Sequence, residues 1–303
     1  GADLRHTVNQ YFAYHAGVHA SIYHNDKTYF GIDPRITFQF TPAENQEITL
    51  HGGCYTQYFH KAGLTGGGLP TDFFLLADST LKPERAIATS LRYSASFLNK
   101  RWSIQVEGYF KQILGIVESL GNIVQLINRE FEYEKYLITG DGRNYGMNLM
   151  LQKNSGILTG YISYSLGWAR RKLPALDGRN DYIYAASHER RHDLNIVLNA
   201  RFAKRWTVGG QFVLASGLPY TKAEEAYMLN GNMICRYSTF NGAHMPLYNR
   251  LDLSCSCDII KTSERELGIN LSLYNVYCHK NAQFVVYREN LKPIYGTSLS
   301  LII

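Results

Sequence analysis

The sequence predicts an all-β chain, an antiparallel transmembrane β-barrel wall built from long strands. Three observations carry this expectation. Apolar and polar residues alternate with a period of two along most of the 303 residues, which gives each strand one apolar and one polar face. The alternating runs are about nine to thirteen residues long, the length a tilted strand needs to cross a bilayer and roughly twice the usual strand. Short and long connections alternate between the runs, as in outer-membrane barrels with tight turns on one rim and long loops on the other. A soluble sandwich shares the alternation but not the loop rhythm or the strand length.

The elements follow in order. In residues 14–23, Ala16, Val18, Ala20 and Ile22 oppose His15, Gly17, His19 and Ser21, and the turn Asn25-Asp26-Lys27 follows. Phe30, Ile32, Ile36, Phe38 and Phe40 oppose Gly31, Asp33, Arg35, Thr37 and Gln39. Ile48, Leu50, Gly52 and Cys54 oppose Thr49, His51, Gly53 and Tyr55. The pattern recurs in 87–97, 104–110, 147–151, 158–168, 194–202, 206–214, 251–259 and 267–273, and Leu299 and Leu301 begin a last run. This makes about twelve strands. Tight turns fall at 42–46, 98–101, 153–156, 203–205 and 261–266, and long excursions at 60–84, 118–143, 172–189 and 216–249. Aromatics at strand ends, Phe97, Trp102, Phe202 and Trp206, suit an interfacial girdle.

Composition excludes several classes. Charged residues are 18% and aromatics 13%, with 23 Tyr, which fits half-buried strands better than a soluble charged surface. The net charge of +6 comes from scattered Lys and Arg, so a nucleic-acid groove is not indicated. Cys54, Cys235, Cys255, Cys257 and Cys278 form neither a disulfide framework nor a zinc motif. No run of about 18 apolar residues predicts a transmembrane helix. Residues 1–10 show no signal peptide, as expected of a processed or excised piece of a longer chain.

Several strings then carry a resemblance: Leu69-Pro70-Thr71-Asp72, Val106-Glu107-Gly108-Tyr109-Phe110-Lys111, Gly140-Asp141-Gly142-Arg143-Asn144-Tyr145-Gly146, Arg190-Arg191-His192-Asp193, Ser216-Gly217-Leu218-Pro219-Tyr220-Thr221, the stretch 246–254 and Asn270-Leu271-Ser272-Leu273-Tyr274-Asn275-Val276-Tyr277. In this order they resemble the C-terminal barrel half of TonB-dependent outer-membrane receptors of the Bacteroidetes type, across nearly the whole chain. The resemblance implies roughly the last twelve strands of a plugged barrel of 22 strands. The family imports siderophores, cobalamin, glycans or peptides with energy relayed through the TonB protein. Residues 1–303 are then a single barrel region without the plug domain. The implied partners are outer-membrane lipid, the plug or remaining barrel strands, the TonB complex through an N-terminal part, the nutrient ligand and a surface lipoprotein. No cofactor and no enzymatic activity are implied. The sequence stops at Ile302-Ile303, whereas the family's last strand usually continues to a terminal aromatic.

A half barrel leaves two open edges, and each unpaired backbone group in hydrocarbon costs several kcal/mol. The missing strands come from a longer chain, or about twelve strands close alone as a passive channel, or the edges pair with another copy in a soluble β-rich binding module. These alternatives stay open in the sequence.

His15, His19 and His51 share a face and could ligate a metal, or simply line a wet lumen. The string 188–193 has His-Glu-x-x-His spacing, but in a strand context and not on the helix that the zinc motif requires. Gly66-Gly67-Gly68 and Gly140-x-Gly142 lack the following helix of a phosphate or dinucleotide loop. The substrate-binding candidates are Tyr55, Gln57, Phe59, Tyr109, Lys111, Asn144 and Arg191, which parity turns inward near the upper rim. Aromatic rings stack on sugar or chelate faces, and amides and Arg fix polar groups.

Overall fold

The computed structural model describes residues 1–63, 72–119, 137–174, 182–203, 205–229, 232–261, 265–287 and 292–297. In chain order the strands are β1 (Ala2–Asn9), β2 (Phe12–His24), β3 (Thr28–Ala43), β4 (Gln46–Gln57), β5 (Phe59–Gly63), β6 (Asp72–Leu76) and β7 (Glu84–Phe97). Then come β8 (Trp102–Ser119), β9 (Leu137–Lys153), β10 (Leu158–Leu173), β11 (Tyr182–Ala185), β12 (His192–Phe202), β13 (Trp206–Ala215) and β14 (Pro219–Tyr220). The last are β15 (Ala223–Leu229), β16 (Asn232–Tyr237), β17 (Ala243–His244), β18 (Tyr248–Lys261), β19 (Glu266–Leu273), β20 (Ala282–Tyr287) and β21 (Pro293–Thr297).

One antiparallel sheet in the order β1-β2-β3-β4-β7-β8-β9-β10-β12-β13-β18-β19 forms the wall, and β11 adds to β10. The order is sequential because every short turn returns the chain beside the strand it left. β1 and β19 are its two edges, and no pairing among the described residues joins them.

Register makes the apolar face continuous. Phe38 pairs with Leu50, Leu50 with Leu91, Leu151 with Ile162, Ile162 with Ile196, and Ile196 with Phe212. Much of this face is not covered by protein: Leu50 is 45% exposed, Leu91 54%, Leu151 36% and Ile162 43%. An apolar band across the wall far exceeds the few hundred Å² that a soluble monomer leaves uncovered. Each exposed Å² forgoes about 25 cal/mol of burial in water, so hydrocarbon is the medium that satisfies this face.

The buried apolar residues sit instead at the long-loop rim. Ala86, Ile113 and Ile116 form one cluster, and Leu75, Leu81 and Val117 a second with Leu137 against it. Loops fold over the wall here. Tyr29 donates its hydroxyl to the Asp78 carbonyl at 2.6 Å, and Ser79 donates backbone and hydroxyl hydrogens to Asp26 at 3.0 and 2.5 Å.

Three expectations need correction. β1 was not anticipated, because its apolar Leu4 and Val8 are interleaved with Asp3, Arg5 and His6 over only eight residues. The described ends of 118–143 are strand, since β8 and β9 pair as far as Ser119–Leu137. A bulge between Leu114 and Ile116, with Gly115 at φ +78°, breaks the alternation there. The excursions 60–84 and 216–249 fold into the hairpins β5–β6 and β15–β16 and the pair β14–β17. Leu299, Leu301, the glycines 66–68 and the string 69–71 lie outside the described residues.

His60 of β5 is 1% exposed and bonds the Lys82 carbonyl through Nε2 at 2.9 Å, while its Nδ1 has no partner. Burial holds its pKa below the usual histidine value, against the attraction of Asp78. The folded state therefore binds its proton later than the unfolded state. The contribution is complete above about pH 6.5 and is lost as pH falls from there through the lowered pKa. Hairpin protection measured by hydrogen exchange is expected to fall on mild acidification, and His60→Gln to flatten that dependence.

Candidate functional site

The polar face gathers its chemistry where β7–β10 pass beyond a row of outward aromatics, Phe110, Tyr145 and Trp168. These are cross-strand neighbours, with Tyr145 stacked on Trp168 at 5.3 Å. Above that row the inward parity of β10 leads through Ala169 to Arg171, which is 5% exposed. Arg171 donates Nη1 to Asn144 Oδ1 at 2.8 Å and to the Arg170 carbonyl at 3.1 Å, and Nη2 lies 3.4 Å from His188 Nε2. The carboxyls of Glu84, Glu118 and Glu189 and the phenol of Tyr184 also face it. Tyr184 on β11 is 3% exposed; burial and the charge of Glu118 push its pKa well above the ordinary phenol range.

Glu189 is the second anchor. It is 3% exposed and accepts the Ala169 backbone N–H at 2.8 Å, with Arg170 Nε at 3.6 Å and Arg191 Nη2 at 3.2 Å. The connection between β10 and β12 is thereby tied to the wall at both ends. Tyr184 also meets Phe240 edge to face at 4.8 Å, and Asn241 donates to the Ala185 carbonyl at 2.9 Å. A third long loop is thus locked over β11.

The sequence candidates divide. Asn144 is the acceptor of Arg171, Lys111 pairs opposite Asn144, and the Lys111 charge also reaches Glu84. Gln57 lies opposite Glu84 and bonds the Phe59 carbonyl at 2.7 Å. Tyr55 bonds His51 Nε2 at 2.8 Å. The Tyr109 hydroxyl lies over Gly146 and Gly167, 2.8 Å from where a Cβ would stand on either, and the Leu166 backbone carbonyl also closes the space at Gly146, so that position demands glycine. These five residues occupy one stretch of the polar face.

Phe59 and Arg191 stand apart. Phe59 is in β5, off the wall, with its ring against Phe74 at 5.8 Å. Arg191 lies over Trp168 at 5.7 Å, on the outward side, and not inward as parity implied. It precedes the first residue of β12, so strand parity does not reach it. The metal candidates also separate: His15 faces Asp3 at 3.4 Å, His19 faces Asp33 at 3.9 Å, and His51 is held between Thr37 and Tyr55.

Arg171, Glu118, Glu84, Tyr184 and Glu189 were missed, because they lie where the alternation gives way to loop-covered surface. The arrangement can hold a polar ligand through guanidinium, carboxylate, amide and phenol groups.

No family model and no curated protein matches the sequence. Solved structures do match by fold. The ferric-catecholate import receptor Fiu from E. coli K12 matches over 92% of this chain and 40% of its own, at 13% identity and TM-score 0.59. The ferripyoverdine receptor of the Pseudomonas aeruginosa outer membrane, bound to ferripyoverdine, matches over 99% and 36%, at 11% identity and TM-score 0.63. The FrpB iron transporter of Neisseria meningitidis matches over 92% and 40%, at 14% identity and TM-score 0.60. The chain spans 36–40% of the length of these receptors. At such identities the likeness establishes the fold alone: the wall has the fold of the antiparallel β-barrel portion of these receptors.

Proposed function

We propose that the chain is the C-terminal barrel half of a TonB-dependent receptor in the outer membrane of a Gram-negative cell. There it supplies wall and extracellular loops for energy-coupled uptake of a nutrient, without catalysis. The carrying observation is the pairing of an uncovered apolar band with a loop-covered ionic cluster on the opposite face at one rim. That asymmetry suits a membrane-embedded importer that receives ligand from outside. A soluble module would leave the band in water. The nutrient class is a siderophore, cobalamin, glycan or peptide, and the motif strings favour the Bacteroidetes branch. Tyr55, Gln57, Tyr109, Lys111 and Asn144 are proposed as interior ligand contacts, with Phe59 contributing from its hairpin and Arg191 acting through Glu189. The plug, the remaining strands, the TonB complex and a surface lipoprotein are the proposed partners.

The orientation can be tested in cells expressing the full receptor with its cysteines replaced by serine. Ser187→Cys on the long-loop rim should react with a membrane-impermeant maleimide from outside. Glu44→Cys at the short turn between β3 and β4 should react only after permeabilisation. Recovery in the soluble fraction, or equal labelling of both positions, would overturn the reading. Uptake of each nutrient class, compared with and without TonB, then selects the substrate.

A further inference from the structure

We propose that the outward face of β9 and β10, immediately above the aromatic row, binds the phosphate of an anionic lipid headgroup in the outer leaflet. The assignment rests on the membrane reading above and adds a site to it.

The rows of the sheet fix the height. Trp102, beside the short turn, and Phe110 are on the outward face of the same strand. Their separation is about 27 Å along the strand, or about 20 Å along the membrane normal at the usual tilt. That is close to the apolar band of a barrel, about 25 Å. Phe110, Tyr145 and Trp168 thus mark the upper interface, where aromatic rings sit at headgroup level.

The next outward row is Gln112, Arg143 and Arg170, in direct cross-strand register. Arg143 and Arg170 are immediate neighbours, and like charges directly opposite each other repel. Arg143 donates Nε to Gln112 Oε1 at 3.0 Å, which orients the guanidinium without neutralising it. Arg170 shares the Glu189 carboxylate with Arg191, and that carboxylate is only 2% exposed while the two guanidinium side chains are 30% and 38% exposed. The negative charge is inside, and both guanidinium side chains remain partly exposed. Arg191 is also held over Trp168 at 5.7 Å, bringing a third guanidinium to the aromatic row just below. In the row above, Asp141 stands between Leu114 and Lys172 and closes the basic patch on its solvent side. Planar guanidiniums on a rigid sheet suit bidentate contact with phosphate oxygens. A phosphate placed between Arg143 and Arg170 removes their mutual repulsion, and lipid phosphates lie at this depth.

The test uses the full receptor reconstituted into phosphatidylcholine bilayers with and without phosphatidylglycerol. Lipid retained after detergent extraction is read by mass spectrometry. The wild type is expected to retain phosphatidylglycerol several-fold over phosphatidylcholine, and Arg143→Gln/Arg170→Gln to bring the ratio to parity. Arg92→Gln, on the inner face beside Glu107, should keep the preference. Equal retention by the wild type, or a preference undiminished in the double variant, overturns the site while insertion still supports the membrane reading. Failure to insert in either bilayer overturns both. Loss of the preference on adding inorganic phosphate would identify a free-anion site and overturn the lipid assignment.

Discussion

Arg171→Met is expected to release the loop that carries β11, at a local cost of about 3–5 kcal/mol, the usual result of removing one partner of a buried charge cluster. The guanidinium is the cation that Glu84, Glu118 and Glu189 share, and it holds Asn144 and the Arg170 carbonyl through one nitrogen. Methionine fills a similar volume but leaves Glu118 half-buried without its countercharge, while Glu84 keeps only that of Lys111. The wall itself should stand, because the twelve-strand ladder does not run through this side chain. Hydrogen exchange at the amides of Ala185, Ala186 and Glu189 should therefore accelerate by more than a hundredfold, while amides of β12 and β13 change little. Arg171→Lys keeps the charge but not the planar fork and should fall between. Arg171→Met combined with Glu118→Gln should recover part of the loss, since a neutral amide needs no countercharge. If Arg171→Met left β11 as protected as in the wild type, the cluster would be packing alone and the loop anchor would lie elsewhere.

The wall was legible in the sequence because one medium faces each side of it. Between Trp102 and Phe110, every second residue must satisfy hydrocarbon and the others polar surroundings, so alternation is enforced residue by residue. Parity alone then placed Lys111 and Asn144 beside what became the site. Above the aromatic row that constraint ends. In Ile113-Leu114-Gly115-Ile116-Val117 the loops bury inner residues, and the bulge shifts the phase. No period survives to assign Glu118. Arg171 lies between Arg170 and Lys172, and a basic run of three reads as a solvated loop entry. Only the observed continuation of β10 shows that its middle member turns inward. Arg191 fails for the complementary reason: it precedes its strand, and Glu189 and Trp168, not the pleat, decide its direction. β1 escaped because its charges hide its two outward apolar residues.

Leu198→Arg against Asn199→Arg gives the second large expected effect and bears directly on which face meets lipid. Leu198 is 43% exposed, lies opposite Gly160 and Gly210, and stands four residues above Phe202, which pairs with Trp206 at the short-turn rim. Four residues of tilted strand rise about 10 Å, near the middle of an apolar band of about 25 Å. Glycine on both sides leaves no neighbouring side chain that could shelter a guanidinium from hydrocarbon. The cost at that depth is about 2–4 kcal/mol. Asn199 points to the opposite, polar face, where its amide lies against Gly209, and an arginine there can extend into the interior with a loss under about 1 kcal/mol. The measurement is denaturant unfolding of the full receptor in bilayers, with the two variants compared at the same lipid composition. A wet environment on both faces would make the substitutions equally mild, and the difference would vanish. A cost that appears in bilayers for Leu198→Arg, and shrinks in a detergent that can deform around the charge, is the outcome expected if this row faces lipid.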